Sequence, residues 1–188
     1  MYEWNHAEAA GKVTFTCGYC GKETAPNKWF RDVHNYAHIY ICPACTKPTF
    51  CEHTTGLHTP SVRLGRDIMG ISSGDIANLY NEARDCTSAG AYTAAALICR
   101  KILMNLAVQH GADGNKSFVF YVDYLAEKGF VPPNGRTWVD AIRLKGNEAT
   151  HEIELMDNKD AQLVLHFTEA LLRFNYEMPH LLENHNKS

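Results

Sequence analysis

Four cysteines in the N-terminal third of the chain form two pairs with identical spacing. The first pair is Cys17 and Cys20, and the second is Cys42 and Cys45. Two intervening residues let one tight turn present both thiolates to a single ion. Zinc in structural sites takes four tetrahedral ligands, and thiolate is a favoured donor. The two pairs therefore predict one closed, structural Zn²⁺ site, made by two turns that we call knuckles.

Two other uses of these cysteines are less favoured. A redox C-x-x-C motif sits near a βαβ pattern, which this part of the sequence lacks. A catalytic zinc is disfavoured because four thiolates leave no position open for water. Replacement of one cysteine ligand by a nearby donor stays an alternative. Those donors are Cys51, His34, His38 and His53.

A second group of chemistry-bearing residues comprises Arg143, Asn147 and His151. Their four-residue spacing places them on one ridge of a helix. Such a ridge could recognise a phosphate or hold an imidazole ready for acid–base catalysis. A buried polar network that fixes helix register, or a solvated face, explains the same pattern. Gly146 is next to this ridge in the sequence. Glycine inside a helix lowers helix stability by about 1 kcal/mol relative to Ala, so its presence indicates a constraint such as the close approach of another helix.

Basic and aromatic residues between the two knuckles form a third candidate site. The candidates for contact with nucleic acid or a protein partner are Lys28, Trp29 and Arg31, together with Arg100 further along the chain. Zinc ribbons present such residues to DNA, RNA or proteins. These side chains would equally serve to cover the ribbon's own small core, so both interpretations remain open.

The elements that must position the knuckles are short strands. β-prone runs occur at residues 13–16, 38–41 and 48–51. Aliphatic residues are scarce in this segment, so we expect metal binding to supply its folding energy. Glycine and proline then mark a linker. The expected division is a zinc ribbon over residues 1–60, a linker over 61–71 and a helical domain over 72–188.

From about Ser72 the apolar residues recur with a helical period. The sequence predicts helices over residues 72–86, 92–109, 117–128, 137–152 and 160–177. Pro179 is expected to end the last of them, and its buried stripe is predicted to include Leu163, Phe167, Leu171 and Phe174. Several helices joined by short loops favour a bundle, so the predicted fold is mainly α with a small β-rich N-terminal ribbon.

The composition argues against several classes of protein. The formal net charge of −3 argues against an extended basic surface, although a local basic patch is compatible with it. No apolar run of about 18 residues is present, so no membrane span is expected. The N-terminus lacks a basic region followed by an apolar one, so no secretory signal is expected. An odd total of seven cysteines disfavours a disulfide framework, and we expect a cytoplasmic protein.

The stretch from Leu79 to Pro179 resembles the bacterial and phage family catalogued as domain of unknown function 4145. The most specific part of the resemblance is Gly146-Asn147-Glu148-Ala149-x-His151-Glu152. Further matching segments are Tyr80-x-Glu82-Ala83, Gly90-Ala91-Tyr92, Arg100-Lys101 and Glu169-x-Leu171-Leu172. That family is similar to the HEPN superfamily of helical bundles, whose active ribonucleases cleave RNA without metal at a dimer interface. The resemblance implies a HEPN-like bundle, a homodimer and a role in defence or counter-defence.

The chain departs from the active HEPN pattern at one position. Active members carry an Arg with a His five positions later; His151 would be that His, and Gly146 occupies the Arg position. Losing such an electrostatic group costs roughly 100- to 1000-fold in rate, unless Arg143, Lys145 or Arg100 replaces it. The sequence therefore favours a non-catalytic or weakly catalytic interaction module. The alternatives are a metal-independent endoribonuclease using His151, Asn147 and Arg143, and a sensor of a small ligand.

Overall fold

The computed structural model describes residues 13–132, 135, 137, 138 and 155–187. The chain divides into two compact units, Met1–Arg63 and Leu64–Ser188, which we call the ribbon unit and the helical unit. The architecture is mainly α, with an N-terminal β region. None of the helices described is long and apolar enough to span a bilayer.

The ribbon unit contains two antiparallel sheets. β1 (Phe15–Thr16) pairs with β2 (Glu23–Thr24), and the other sheet has the order β3-β4-β5-β6. Its strands are β3 (Lys28–Arg31), β4 (Ala37–Ile41), β5 (Pro48–Glu52) and β6 (His58–Thr59). The three predicted β runs correspond to β1, β4 and β5. The short strands β2, β3 and β6 were not predicted, because two of them are two residues long and β3 mixes charged with aromatic residues.

Aromatic side chains form the small core of the ribbon unit. The ring centroids of Phe15 and Tyr40 lie 5.1 Å apart, and His38 stacks on Tyr40 at 5.4 Å. Trp29 stacks on His38, with ring centroids 4.6 Å apart. Buried cysteines complete the cluster. The ribbon therefore has a core of its own, built from rings and thiols instead of the aliphatic residues that the sequence lacks there.

Three predicted helices of the helical unit are confirmed within two residues. They are α1 (Gly74–Ser88), α2 (Tyr92–Gln109) and α3 (Phe118–Glu127). Ser117 caps α3, since its hydroxyl accepts a hydrogen bond from the Phe120 N–H at 3.3 Å. Of the predicted helix over residues 137–152, only Thr137 and Trp138 lie within the described residues, and both are helical.

The C-terminal helix runs further than predicted. It consists of α4 (Asn158–Leu172), a π-helical turn (Arg173–Glu177) and α5 (Met178–His185). The prediction that Pro179 ends the helix was wrong. Pro179 lies in the first turn of α5, where a helix tolerates the missing N–H. The π-helical turn is held by the buried Glu177 carboxylate, which pairs with Arg173 at 2.8 Å and Arg66 at 2.7 Å.

The buried face of α4 is rotated from the predicted stripe. Phe167 and Leu171 are buried as expected, but Leu163 and Phe174 are 49% and 41% exposed. The buried residues of α4 include Val164 and Thr168 instead. Apolar residues on both edges of this helix made the direction of its core-facing side ambiguous from spacing alone.

The residues just before α1 pack on the helical unit. Leu64, Ile68 and Ile71 are partly buried against its core. The buried Arg84 guanidinium donates to the carbonyl oxygens of Leu64 at 2.9 Å and Gly65 at 3.0 Å. Residues 64–71, part of the predicted linker, are thus anchored to α1.

Candidate metal centre

The first knuckle follows β1 and is closed by two backbone hydrogen bonds. The Gly21 N–H donates to the Cys17 carbonyl at 2.9 Å, and the Cys17 N–H donates to the Lys22 carbonyl at 3.0 Å. Gly21 has a φ of 67°, in the left-handed region that glycine adopts without steric cost. The turn therefore brings the backbone back on itself directly after Cys20.

The second knuckle joins β4 to β5 and repeats this hydrogen-bond pattern. The Thr46 N–H donates to the Cys42 carbonyl at 2.8 Å, and the Cys42 N–H donates to the Lys47 carbonyl at 3.1 Å. Thr46 takes the position equivalent to the glycine, with a φ of 61°. A residue other than glycine in this conformation is unusual and marks a turn that its surroundings hold in place.

The two knuckles bring their four sulfur atoms together as the sequence predicts. All four lie within 4.8 Å of one another. The Sγ atoms of Cys17 and Cys45 are 3.6 Å apart, and those of Cys20 and Cys42 are 3.7 Å apart. A tetrahedral site with Zn–S bonds of about 2.3 Å has S–S edges of about 3.8 Å. The donor set therefore fits one tetrahedral ion, such as zinc, in number, type and spacing.

Two of the four thiols, those of Cys17 and Cys45, have shifted pKa values. Burial opposes ionisation of Cys17, but backbone N–H groups of Cys20 and Tyr19, with the side chains of Cys45 and Thr49, lower the pKa of its thiol to about 7. A hydrogen bond from the backbone of Lys47 favours the Cys45 thiolate, but burial and the neighbouring thiols together raise the pKa of Cys45 to about 11. A cation between the sulfurs would favour the thiolate form of Cys45.

The nearby alternative donors lie outside this cluster. Among the described residues, the four paired cysteines alone form such a group of three or more possible ligands. Cys51 is buried in β5, where burial raises the pKa of its thiol to about 11. The ring nitrogens His38 Nδ1 and His53 Nε2 face each other, and His34 is exposed. The interpretation in which one of them replaces a cysteine ligand has no support in this geometry.

The candidate partner-binding residues differ in their surroundings. Lys28 and Arg31 are exposed at either end of β3, which is an edge strand. Trp29 lies between them but packs against the ribbon core, with its indole nitrogen buried. In the helical unit, the Arg100 guanidinium lies 4.4 Å from the centre of the Phe118 ring. The core-covering interpretation is therefore favoured for Trp29.

One contact between the knuckles was not predicted from the sequence. The Lys47 ammonium lies 4.8 Å from the centre of the Tyr19 ring, and Tyr19 is 42% exposed. Each residue belongs to a different knuckle, so only the folded arrangement brings them together. The pair adds an aromatic ring and a positive charge to the surface beside the candidate metal ligands.

The candidate catalytic ridge cannot be placed in the same way. Arg143, Asn147 and His151 lie outside the described residues, as does Gly146. Their proposed roles remain predictions from the sequence.

Comparison with known proteins identifies the helical part of the chain. The model of the family described as Domain of unknown function (DUF4145) matches residues 81–187, more than half of the chain. No curated protein and no solved structure matches the sequence. The family match begins within α1 and extends past α5, so both cysteine pairs lie outside it. The resemblance drawn from the sequence is confirmed at the level of this family.

Proposed function

The chain belongs to the DUF4145 family, and on this premise we propose that it is a zinc-binding interaction module with a HEPN-like helical domain. Its role would lie in bacterial or phage defence or counter-defence, in the cytoplasm and as a homodimer. The observation that carries the proposal is the group of four thiols that matches a tetrahedral ion. The HEPN-like fold, the dimer and the defence role rest on the sequence resemblance.

Zinc is the ion that we propose for the four cysteines. A tetrahedral site of four sulfurs suits zinc or iron, and a site closed by four protein ligands is typical of structural zinc. When bound, the ion cross-links the β1-β2 hairpin to the turn between β4 and β5. Cys17 and Cys20 come from the first element, and Cys42 and Cys45 come from the second. Such a link stabilises two sheets whose shared core is small.

Nucleic acid is the partner that the charge distribution favours. Residues 13–63 contain five Lys or Arg residues and three Asp or Glu residues, in a chain whose formal net charge is −3. Lys28 and Arg31 are exposed on β3, and Lys47 lies beside the Tyr19 ring at the knuckles. The exposed Lys47 next to an aromatic ring, together with the exposed cations of β3, suits a single-stranded nucleic acid, which offers phosphates and unstacked bases.

A binding measurement tests this choice of partner. Fluorescence anisotropy of labelled single-stranded RNA and DNA should show binding by the full chain that weakens steeply with added salt. Combined replacement of Lys28→Ala and Arg31→Ala should weaken binding and reduce the salt slope by about one for each phosphate that is no longer neutralised. Lys159→Ala in α4 removes an exposed cation from the helical unit and should change little.

Two results would contradict the proposal. Absence of binding to either nucleic acid would point to a protein partner. If Lys159→Ala weakened nucleic-acid binding as much as the double variant of the ribbon unit, binding would depend on net charge and not on a specific surface of the ribbon unit. Elemental analysis of untagged protein tests the metal separately, with about one zinc per chain expected from a single site of four cysteine ligands.

A further inference from the structure

Thr49 is a polar residue enclosed at the centre of the ribbon unit. It lies in β5, opposite Tyr40 of β4, four residues after the last cysteine ligand. Its relative exposure is 0%. A buried hydroxyl without hydrogen bonds destabilises a protein, so the partners of this side chain indicate its role.

Both hydrogen-bonding functions of the Thr49 hydroxyl are directed at the first knuckle. The Gly18 N–H donates to Thr49 Oγ1 at 3.4 Å. Thr49 Oγ1 in turn donates to Cys17 Sγ across 3.8 Å. A hydroxyl carries one donor hydrogen and two acceptor lone pairs, so one side chain makes both bonds at once. The hydroxyl thus contacts a metal ligand and the residue that follows it.

These contacts connect parts of the ribbon that are distant in sequence. Cys17 and Gly18 belong to the first knuckle, beside the β1-β2 sheet, whereas Thr49 belongs to the four-stranded sheet. The second knuckle immediately precedes β5, so Thr49 moves with the ligands Cys42 and Cys45. A bond from Thr49 to the first knuckle therefore fixes the distance between the two pairs of ligands.

We propose that Thr49 is a positioning residue of the metal centre, whose hydroxyl orients Cys17 Sγ and holds the two knuckles at the spacing that the ion requires. This inference rests on the proposed metal centre. Groups that hydrogen-bond to metal ligands orient them and tune their donor strength, and replacing such a group costs about 10- to 100-fold in metal affinity. A Thr that only filled space in β5 would be replaceable by an apolar residue of the same shape.

The test compares side chains at position 49 that differ in the hydroxyl. The full-length variants are Thr49→Val, which keeps the shape, Thr49→Ala, which removes volume, and Thr49→Ser, which keeps the hydroxyl. Thr24→Val is the matched control, since among the described residues the half-buried Thr24 donates its hydroxyl hydrogen only to the carbonyl of its neighbour Ala25, at 3.3 Å. Zn²⁺ affinity is measured by competition with a chromophoric chelator. Co²⁺ titration adds the sulfur-to-metal charge-transfer band, which reports the donor strength of the thiolates.

The inference predicts about 10- to 100-fold weaker Zn²⁺ binding for Thr49→Val and Thr49→Ala, with a shifted Co²⁺ charge-transfer band. Thr49→Ser and Thr24→Val should resemble the wild type in both measurements. Wild-type affinity in either hydroxyl-free variant would overturn the inference, as would a Ser variant as weak as the Val variant. Failure of the wild type itself to bind Zn²⁺ would instead refute the metal centre, so the two proposals fail in distinguishable ways.

Discussion

Gly18 lies directly against Pro60, so close that a methyl group on Gly18 would overlap the Pro60 carbonyl. Gly18 is the residue after Cys17, the first candidate metal ligand, and Pro60 follows β6. The end of the four-stranded sheet therefore closes over the first knuckle. Because the obstacle is backbone and not the end of a flexible side chain, it cannot move aside without displacing β6.

Gly18→Ala should consequently destabilise the ribbon unit. Overpacking of this kind costs about 1–3 kcal/mol, and the displaced knuckle should also bind Zn²⁺ less tightly. Thermal unfolding of the zinc-loaded chain, with zinc release followed by a chromophoric chelator, measures both effects. Gly74→Ala is the control, since a Cβ there meets no atom within 4 Å. Equal behaviour of the two variants would show that the first knuckle tolerates a side chain at Gly18.

The sequence predicted that the four paired cysteines would come together but not which residues contact the first knuckle. The C-x-x-C spacing is local, so it is visible in the sequence, and the four sulfurs converge as expected. The contacts of Thr49 with Cys17 and of Pro60 with Gly18 join residues more than thirty positions apart. Each depends on strand register, which pairs Thr49 with Tyr40 and which a set of very short strands does not reveal.

In the helical unit too, features set by neighbouring residues were predicted, and features set by long-range contacts were not. Helices α1 to α3 begin or end next to a serine or a glycine, residues that favour helix ends, so their bounds were predicted to within two residues. The end of the last helix was not, because Pro179 lies in a first turn that exists only after the π-helical turn at Arg173–Glu177. The ion pair between Arg66 and Glu177 spans 111 positions and is invisible to helical periodicity.

Removal of the metal should affect the two units differently. The ribbon unit depends on a small aromatic core, whereas the helical unit has an extensive apolar core of its own. Cys42→Ser, or a strong chelator added to the wild type, should therefore unfold the ribbon unit and leave most helical circular dichroism intact. Near-ultraviolet dichroism of the Trp29 and Tyr40 stack should decrease at the same time.

Retention of that signal after the metal has been removed would show that the ribbon folds without an ion. Cys86→Ser provides the control, as this thiol lies in α1.

The half-buried ring of His110 should make the helical unit sensitive to acid. It stacks on Phe130 with centroids 3.7 Å apart, and its Nε2 atom is buried without a hydrogen-bond partner among the described residues. Burial lowers the pKa of His110, although its place at the C-terminus of α2 would by itself favour the charged ring. The folded state therefore binds a proton less readily than the unfolded state.

Stability of the helical unit should consequently fall as the pH decreases below about 6.5, the ordinary pKa of histidine. At a pH above the pKa that His110 has in the unfolded state, the ring is neutral in both states and the free energy of unfolding does not change. The loss of stability grows as the pH falls towards the lowered pKa of His110 in the folded state. His110→Phe keeps a stacked ring without a titratable nitrogen, so it should flatten this part of the pH profile in thermal unfolding. His166→Phe alters an exposed histidine of α4 and should leave the profile as in the wild type. A pH profile of His110→Phe parallel to that of the wild type would show that His110 does not control the acid sensitivity of the helical unit.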